Sequence, residues 1–357
     1  MFDKRWISKP EFLGIIKEGW CKDDAAGSRA LLHRISNCRK SISLWKRVTN
    51  QNSKKRITQL KQKLEEEGLK LQPNRGLLQA WKWELAEAYR EEELFWKQKS
   101  REKWLKEGDR NTKFFHGSVQ RRRVQNRIIS LFDVNNVEQF AEGSKGEIAV
   151  DYFRQLFTSS KPDSFEVALE GMLPRVTAHM NEVMTRPVSG EEIKQAAFSI
   201  KGESTPGADG MSGHFYQAYW DIVGPQVITE VQQFFESGSL PPEWNFTQIC
   251  LIPKKPNPSR MTDLRPISLC SVIYKIVSKI LCNRLKCFLP SIVSDTQGAF
   301  VSGRLISDNI LLAHEMIHAL RTNSNCDEDF IAIKTDMSKA YDRFHTRCSS
   351  MVHRMDI

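Results

Sequence analysis

The chain has 357 residues, of which 40% are hydrophobic and 27% charged, the composition of a folded protein with at least one sizeable core. Residues 1–130 contain 31 Lys+Arg against 16 Asp+Glu, and residues 131–357 contain 22 against 27, so the N-terminal part favours a polyanionic partner. The sequence has no apolar run near the ~18 residues of a membrane span, no signal peptide and no Cys-x-x-Cys pair among its eight cysteines. We therefore expect an intracellular protein, in the nucleus or the cytoplasm, with reduced thiols.

Helices are predicted for most of the first hundred residues. A basic helix is expected to end near residue 50, and apolar residues then recur at helical spacing over residues 54–70 and again from Leu77 to about residue 107. Pro73 and Gly76 interrupt this pattern. The last two helices are therefore predicted to form an antiparallel hairpin.

Cations alternate with aromatic residues in residues 97–130. Trp104, Phe114, Phe115 and His116 offer faces on which unpaired bases can stack, and the neighbouring cations suit phosphate groups. A solvated charged face is the open alternative. The candidate nucleic-acid-binding residues are Arg101, Lys103, Arg110, Lys113, Arg121, Arg122, Arg123 and Arg127.

The middle of the chain predicts short elements and a domain boundary. A strand over 127–132 and a helix over 144–157 are followed by a loop-rich stretch, 158–190, where we expect the first domain to end. Ser189 then predicts a helix N-cap, with Glu192 completing a capping box. The turn over 204–210 lacks the glycine pattern of a phosphate-binding loop.

A strand over 247–252 is followed by Lys254 and Lys255, and Arg265 comes after a proline-rich loop. Cations on both sides of such a connection suit a triphosphate. Residues 272–289 have the clearest helical pattern of the chain, and its apolar stripe is predicted to be core. The stripe consists of Ile273, Ile276, Val277, Ile280, Leu281, Leu285 and Phe288.

A helix predicted from residue 306 contains His314, Glu315 and His318, which fit the His-Glu-x-x-His pattern of zinc metalloproteases. Such a site needs a third protein ligand, and no His-x-x-Gly-x-x-His extension follows. A stripe of Ala313, Met316, Ile317 and Leu320 beside the pattern predicts an ordinary buried helix face. The zinc-protease interpretation is therefore a remote alternative.

The stretch Phe330–Arg343 begins with the alternation of a half-buried strand and reaches an acid, Asp336. A carboxylate at a strand end is suited to Mg²⁺, which prefers hard oxygen ligands. Nucleotidyl transfer uses two such ions, held by acidic residues, together with cations that bind the triphosphate. From spacing alone, a helix cap or turn residue is the commoner role of such an Asp.

Several motifs together resemble the reverse transcriptase of plant-type non-LTR (LINE) retrotransposons. They are Pro206-Gly207-Ala208-Asp209-Gly210, Leu251-Ile252-Pro253-Lys254, Asp263-Leu264-Arg265-Pro266, Tyr274-Lys275, Asn283-Arg284-Leu285, Gln297-Gly298-Ala299-Phe300, Gly303-Arg304, Asp308-Asn309 and Asp336-Met337-Ser338-Lys339-Ala340-Tyr341-Asp342. The resemblance implies an α+β chain with a helical basic N-terminal region, followed by incomplete fingers and palm of a right-hand polymerase. It implies domains over 1–185 and 186–343, and a divergent tail over 344–357.

The resemblance also implies roles for single residues. Asp336 would be the catalytic carboxylate and would bind Mg²⁺ with the backbone carbonyl of Met337, and Tyr341 would exclude a ribose 2′-hydroxyl. Lys254 and Arg265 would bind the triphosphate of the incoming dNTP. Gln297 and Arg304 would lie near the nucleotide and template, with a purely structural role as the open alternative.

The implied partners are an RNA template, a DNA primer and a dNTP. The Tyr/Phe-x-Asp-Asp pattern that supplies further palm carboxylates in the family does not occur in these 357 residues. We therefore expect a truncated RNA-directed DNA polymerase without activity of its own. The alternative is a non-catalytic RNA-binding remnant.

Overall fold

A computed structural model describes residues 2–22, 30–49, 52–101, 112–158, 175–322 and 333–335. The chain divides into two compact units. The first combines Met1–Ile129 with Pro187–Val277, and the second combines Ser130–Arg186 with Ser278–Ile357. Each unit is thus built from two stretches that are distant in sequence, and the sequential domains 1–185 and 186–343 stay a prediction.

The described residues are mainly helical, with two small antiparallel sheets. Short 3₁₀ helices cover Lys4–Ser8 and Met261–Asp263. The α-helices are α1 (Phe12–Cys21), α2 (Ala30–Val48), α3 (Ser53–Gly68), α4 (Arg75–Ser100), α5 (Thr112–Gln125), α6 (Glu142–Phe157), α7 (Ala178–Thr185), α8 (Gly190–Ser199), α9 (Gly213–Ala218), α10 (Trp220–Ser237), α11 (Pro242–Asn245), α12 (Val272–Lys286), α13 (Leu289–Ile292) and α14 (Ile306–Thr322). The strands are β1 (Leu131–Phe132) and β2 (Glu138–Gln139), which pair together, and β3 (Gln248–Pro253) and β4 (Leu264–Leu269), which form the second pair.

The predicted helical hairpin is confirmed, because α3 and α4 pack against each other. Asn74 starts α4 by accepting a hydrogen bond from the backbone N–H of Leu77 (3.1 Å), the usual role of an N-cap side chain. The helix ends at Ser100, earlier than predicted, because Arg101 adopts a left-handed conformation with φ 55°. The predicted strand over 127–132 is also shorter than expected, since only Leu131 and Phe132 are in β1.

Aromatic side chains form the centre of the first unit. Phe12 is fully buried, and its ring lies 4.9 Å from that of Trp45 and 6.1 Å from that of Tyr219, measured between centroids. Phe2 contacts the ring of Phe215 at 5.7 Å, and its backbone N–H donates to the Gly210 carbonyl (2.8 Å). The N-terminal residues therefore contribute to the core of the unit that also contains residues 187–277.

A buried carboxylate joins α2 to α10 inside this unit. Glu230 is 4% exposed, and its Oε1 accepts hydrogen bonds from the backbone N–H of Leu31 and from Nε2 of Gln226. Burial raises the pKa of Glu230, and the hydrogen bonds that it accepts from Gln226 and Leu31 oppose that rise. The side chain thus caps the first turn of α2, where the helix dipole favours negative charge.

The apolar stripe on α12 is core only in part. Ile273, Ile276 and Ile280 are buried, but Leu281 and Leu285 are 41% and 39% exposed. The prediction of a continuous core stripe is therefore wrong at its C-terminal half, since the periodicity identifies an apolar face without showing how far a partner covers it.

The buried face predicted for α14 is wrong as well. None of its residues is buried, and Met316 and Ile317 are 60% and 45% exposed. Within the described residues nothing covers this face. No helix in the described ranges is long and apolar enough to cross a membrane.

Candidate nucleotide and nucleic-acid sites

The strand pair β3–β4 brings two predicted triphosphate ligands onto one face. Ile252 is paired with Arg265 in the antiparallel register, and the ladder continues where the N–H of Lys254 donates to the Asp263 carbonyl (2.8 Å). Side chains that are directly opposite, or two residues apart on one strand, share a face. Lys254 and Arg265 therefore lie diagonally across the same face.

The two cations differ in their contacts. The Nζ of Lys254 donates to the Thr262 carbonyl (2.9 Å), whereas Arg265 is exposed and has no ion pair with a described residue. Lys255 binds Asp263 instead (2.9 Å), and this contact lowers the pKa of the Asp263 carboxyl. Arg265 thus has no ion pair with a described residue, and Lys254 lies diagonally from it on the same face of the hairpin.

The turn over 204–210 is held against the start of α12. A Cβ on Gly207 would lie 2.6 Å from the Ser271 backbone nitrogen, closer than real Cβ atoms approach, and Gly210 has φ +70°. Lys275 donates from Nζ to the Thr205 carbonyl (2.6 Å) and to Ser204 Oγ (3.2 Å). These contacts explain the glycines and Lys275 as packing residues. Lys275 was named as part of a family motif, but its contact with the turn was not predicted, because the partners are 70 and 71 residues apart in the chain.

The side chain of Arg304 binds groups of α13 and of the loop that follows it. Its guanidinium donates to the carbonyls of Pro290 (3.2 Å) and Gln297 (3.0 Å), and it also pairs with Asp295 (3.1 Å). The side chain of Gln297 donates to the Ala299 carbonyl (3.2 Å). The structure therefore brings Gln297 and Arg304 together, in contacts that hold the loop in shape.

The basic segment exposes most of its described cations. Lys113, Arg121, Arg123 and Arg127 are exposed on or just after α5, and Arg101 is exposed at the end of α4. Arg122 is also exposed but donates to the Ser100 carbonyl (2.7 Å), so it joins α5 to α4. Lys103 and Arg110 lie outside the described residues.

Two of the predicted stacking faces are already occupied. Phe115 is 2% exposed, and the ring of His116 lies 3.5 Å from that of Trp96 between centroids. The prediction that these two rings are free for bases is wrong, because Phe115 is buried and His116 packs on Trp96 of α4. Phe114 is 39% exposed and stays a candidate, and Trp104 lies outside the described residues.

Comparison with known proteins decides the family. Residues 252–347 match the family described as "Reverse transcriptase (RNA-dependent DNA polymerase)". Residues 252–347 are a reverse transcriptase segment. The resemblance drawn from the sequence motifs is thereby confirmed.

Relatives of this reverse transcriptase segment occur in transposon proteins. The chain is 30% identical over 247 residues to "Transposon TX1 uncharacterized 149 kDa protein" from Xenopus laevis, covering 69% of this chain and 19% of the relative. It is 26% identical over 205 residues to "Probable RNA-directed DNA polymerase from transposon BS" from Drosophila melanogaster (54% and 20%). It is 28% identical over 175 residues to "Retrovirus-related Pol polyprotein from type-1 retrotransposable element R2" from Popillia japonica (48% and 23%). The chain thus spans about a fifth of the length of these relatives.

The reverse transcriptase segment contains the residues expected to be catalytic. Asp336, Met337 and Tyr341 lie outside the described residues. Of the strand predicted to lead to Asp336, residues 333–335 are described; they are not in a strand, and Ile333 is 80% exposed.

The His-Glu-x-x-His pattern also falls inside the reverse transcriptase segment. His314 and His318 are exposed on α14. Among the described residues, no group of three or more His, Cys, Asp or Glu side chains is placed to hold a metal ion. Within that part of the chain, the two histidines have no third ligand for zinc, which is what such a site requires.

Proposed function

We propose that this chain is part of an RNA-directed DNA polymerase of a non-LTR retrotransposon, in which residues 186–343 supply fingers and part of the palm. Residues 1–185 would be a helical basic extension and 344–357 a divergent tail. The match of residues 252–347 to the reverse transcriptase family carries this proposal. The polymerase would act in the nucleus or the cytoplasm on an RNA template and a DNA primer.

In this proposal the face of the β3–β4 hairpin binds the triphosphate of the incoming dNTP. Arg265 is exposed and Lys254 lies diagonally beside it, and an Arg next to a Lys is a usual clamp for phosphate oxygens. Tyr341 would select against a ribose 2′-hydroxyl. Gln297 and Arg304 would shape the loop near the nucleotide and template rather than bind a phosphate, because the guanidinium is held by carbonyl oxygens of its own loop.

Asp336 and the Met337 carbonyl would hold Mg²⁺ in the proposed polymerase. An acid and a carbonyl are the hard oxygen donors that Mg²⁺ prefers. Their chemistry suits the binding of one Mg²⁺ ion. Two-metal nucleotidyl transfer needs further carboxylates, and the Tyr/Phe-x-Asp-Asp pattern that would supply them is absent from these 357 residues. We therefore propose that the 357 residues bind the dNTP, the template and the primer but do not catalyse DNA synthesis on their own.

Binding of dTTP tests the hairpin. With Mg²⁺ and a primer–template, we expect Arg265→Gln to weaken dTTP binding about tenfold or more, because one charge-assisted contact to a phosphate is lost. Arg90→Gln is the matched control, since Arg90 is exposed on α4 and pairs only at the surface with Glu87. Isothermal titration calorimetry gives both affinities, and an equal effect of the two changes would contradict a role of Arg265.

Primer extension tests the metal site. We expect no elongation of a DNA primer on an RNA template by the 357 residues with dNTPs and Mg²⁺. Elongation that disappears in Asp336→Ala would show that the site is complete in this chain and would overturn the proposed inactivity. It would at the same time establish the polymerase function directly.

A second candidate function is non-catalytic RNA binding through α5. The exposed cations Lys113, Arg121, Arg123 and Arg127 favour it. In contrast to polymerase function, this candidate needs neither Asp336 nor the hairpin. A loss of RNA binding when Arg121 and Arg123 are changed would distinguish this candidate from binding through other basic surfaces.

A further inference from the structure

The loop that joins β3 to β4 is held by one carboxylate, that of Asp263. Its Oδ2 accepts hydrogen bonds from the backbone N–H groups of Ser259 (3.2 Å) and Arg260 (3.1 Å). Its Oδ1 pairs with Nζ of Lys255 (2.9 Å). Hydrogen bonds to a carboxylate favour its charged form, in agreement with the lowered pKa of Asp263, for which the Lys255 contact is the largest cause. The charged side chain therefore bonds to three separate residues of its own loop.

The loop is irregular and depends on such contacts. Asn257 has φ 51°, in the left-handed region that most residues avoid. Pro256 and Pro258 lie on either side of it and have no N–H with which to form backbone hydrogen bonds. The 3₁₀ helix Met261–Asp263 follows, and its last residue bonds back to the N–H of the N-cap residue Arg260, as in a capping box. Asp263 thus closes a loop whose own backbone forms few regular bonds.

The backbone of Asp263 takes part in the register of the hairpin. Its carbonyl accepts from the N–H of Lys254 (2.8 Å), one step beyond the pair formed by Pro253 and Leu264. Among the described residues this sheet has only two strands, and a single pair of strands is marginally stable in water. Because the connecting loop fixes the register of a hairpin, the contacts of Asp263 help to determine which residues of β3 and β4 are opposite each other.

The register decides whether the two proposed phosphate ligands share a face. Arg265 is opposite Ile252, and Lys254 lies two residues further along β3, so the two cations are on the same face. A slip of one residue turns every side chain of a strand to the other face. After such a slip, Arg265 and Lys254 would lie on opposite faces of the hairpin and could not contact one triphosphate.

We propose that Asp263 is a positioning residue for dNTP binding, whose carboxylate closes the β3–β4 loop and so keeps Lys254 and Arg265 on one face. This inference rests on the proposed triphosphate site. Asp263 acts through the two cations, because a carboxylate and a triphosphate repel each other. Lys255 is assigned to the loop rather than to the substrate, since its ammonium is paired with Asp263.

Charge and position predict opposite effects when Asp263 is replaced. The carboxylate is a negative charge near a site proposed for a polyanion, so the loss of its charge alone would strengthen the binding of dTTP. The loss of its loop contacts would weaken binding, because Lys254 and Arg265 would no longer be held on one face. A variant that loses only the charge therefore differs in sign from one that loses the charge and the contacts.

Two variants of Asp263 use this difference in the full chain, with Mg²⁺ and a primer–template. Asparagine keeps an acceptor oxygen for the N–H groups of Ser259 and Arg260 and loses the charge, whereas alanine loses both. By isothermal titration calorimetry we expect Asp263→Asn to bind dTTP as tightly as the unchanged chain, or up to about threefold more tightly. We expect Asp263→Ala to bind dTTP about fivefold or more weakly, since the contact of Arg265 with a phosphate is lost in part.

Asp221→Ala is the matched control for the loss of one negative charge. Asp221 is exposed at the start of α10, in the same unit as the hairpin. Its replacement should change the dTTP affinity by less than about twofold, because an exposed charge outside the site is screened by solvent.

Amide hydrogen exchange tests the loop without any nucleotide. We expect peptides that cover residues 254–263 to exchange faster in Asp263→Ala than in the unchanged chain, because the N–H groups of Ser259 and Arg260 lose their acceptor. The same peptides should exchange at nearly the original rate in Asp263→Asn. This measurement reports the position of the loop independently of the binding of dTTP.

Lys255→Gln tests the assignment of the second lysine and keeps the bonds of Asp263 to its loop N–H groups. The side chain of Lys255 is 59% exposed, and exposed ion pairs contribute little to stability, so this variant is expected to fold even if Asp263→Ala does not. We expect its dTTP affinity to stay within about twofold of that of the unchanged chain.

Three results would overturn the positioning role of Asp263. The first is dTTP binding by Asp263→Ala that is as tight as that of Asp263→Asn. The second is unchanged hydrogen exchange of residues 254–263 in Asp263→Ala. The third is a loss of affinity in Lys255→Gln as large as that in Arg265→Gln, which would make Lys255 a phosphate ligand. Failure of the proposed triphosphate site has a different signature, namely equal dTTP binding by Arg265→Gln and its Arg90→Gln control.

Discussion

Replacing Phe12 by alanine is expected to lower the free energy of unfolding by about 3–5 kcal/mol, the usual loss for a large buried aromatic residue. Phe12 is fully buried. It contacts Trp6 and Trp45 from the N-terminal helices and Tyr219 next to α10. The cavity left by its ring would border all three aromatic neighbours, so little of the lost contact can be recovered by relaxation.

The same substitution tests whether residues 1–129 and 187–277 unfold together. We expect a single transition in urea, shifted as a whole, when circular dichroism and tryptophan fluorescence are followed in parallel. Leu13→Ala is the control, because Leu13 is the next residue and is 46% exposed; its loss should remain below about 1 kcal/mol. Two separate transitions, with only one shifted, would contradict a shared core.

Local elements of this fold followed from the sequence where short-range physics determines them. The helical spacing around Leu60 and the break near Pro73 predicted the α3–α4 hairpin, which the structure contains. Ser189 was predicted as an N-cap and accepts a hydrogen bond from the Glu192 N–H (3.1 Å). In both cases the interacting groups lie within a few residues of each other, so the pattern contains the needed information.

Exposure and long-range contacts did not follow from the sequence. The stripe of Met316 and Ile317 has the same periodicity as a buried face, but periodicity is a property of one helix and burial requires a second element. The contact of Phe2 with Gly210 spans two stretches far apart in the chain.

In the candidate site, the sequence motifs identified residues without showing what their side chains contact. The motif containing Gly207 was one of several that together carried the family resemblance, and the structure explains this glycine by a close backbone approach to Ser271. Arg304 was predicted near the nucleotide and is seen to hold its own loop. Residues that mark a family can therefore do so because they position the chain, whereas triphosphate binding is proposed for the exposed Arg265.

Arg284, another residue of the family motifs, is expected to act in this way. It is 5% exposed, and its Nη1 donates to the carbonyls of Met184 (2.9 Å) and Arg186 (2.7 Å). These carbonyls lie at the end of α7, where helices leave acceptors unsatisfied and favour a positive charge. Pro187, which follows, has no N–H to donate.

Replacing Arg284 by methionine should therefore cost about 2–4 kcal/mol of unfolding free energy. Methionine fills much of the same volume, but two carbonyl acceptors lose charged donors, each worth about 1.5–3 kcal/mol in measured cases, and part of that loss is recovered by water. Arg284→Lys should recover part of the stability, since a lysine ammonium keeps the positive charge but cannot reproduce the planar geometry with which the guanidinium reaches both carbonyls. Lys286→Met, at the exposed last residue of α12, is the matched control and should change stability by less than about 0.5 kcal/mol. Equal urea midpoints for Arg284→Met and the control would show that the guanidinium does not hold α7, and the family motif would then need an explanation in substrate binding.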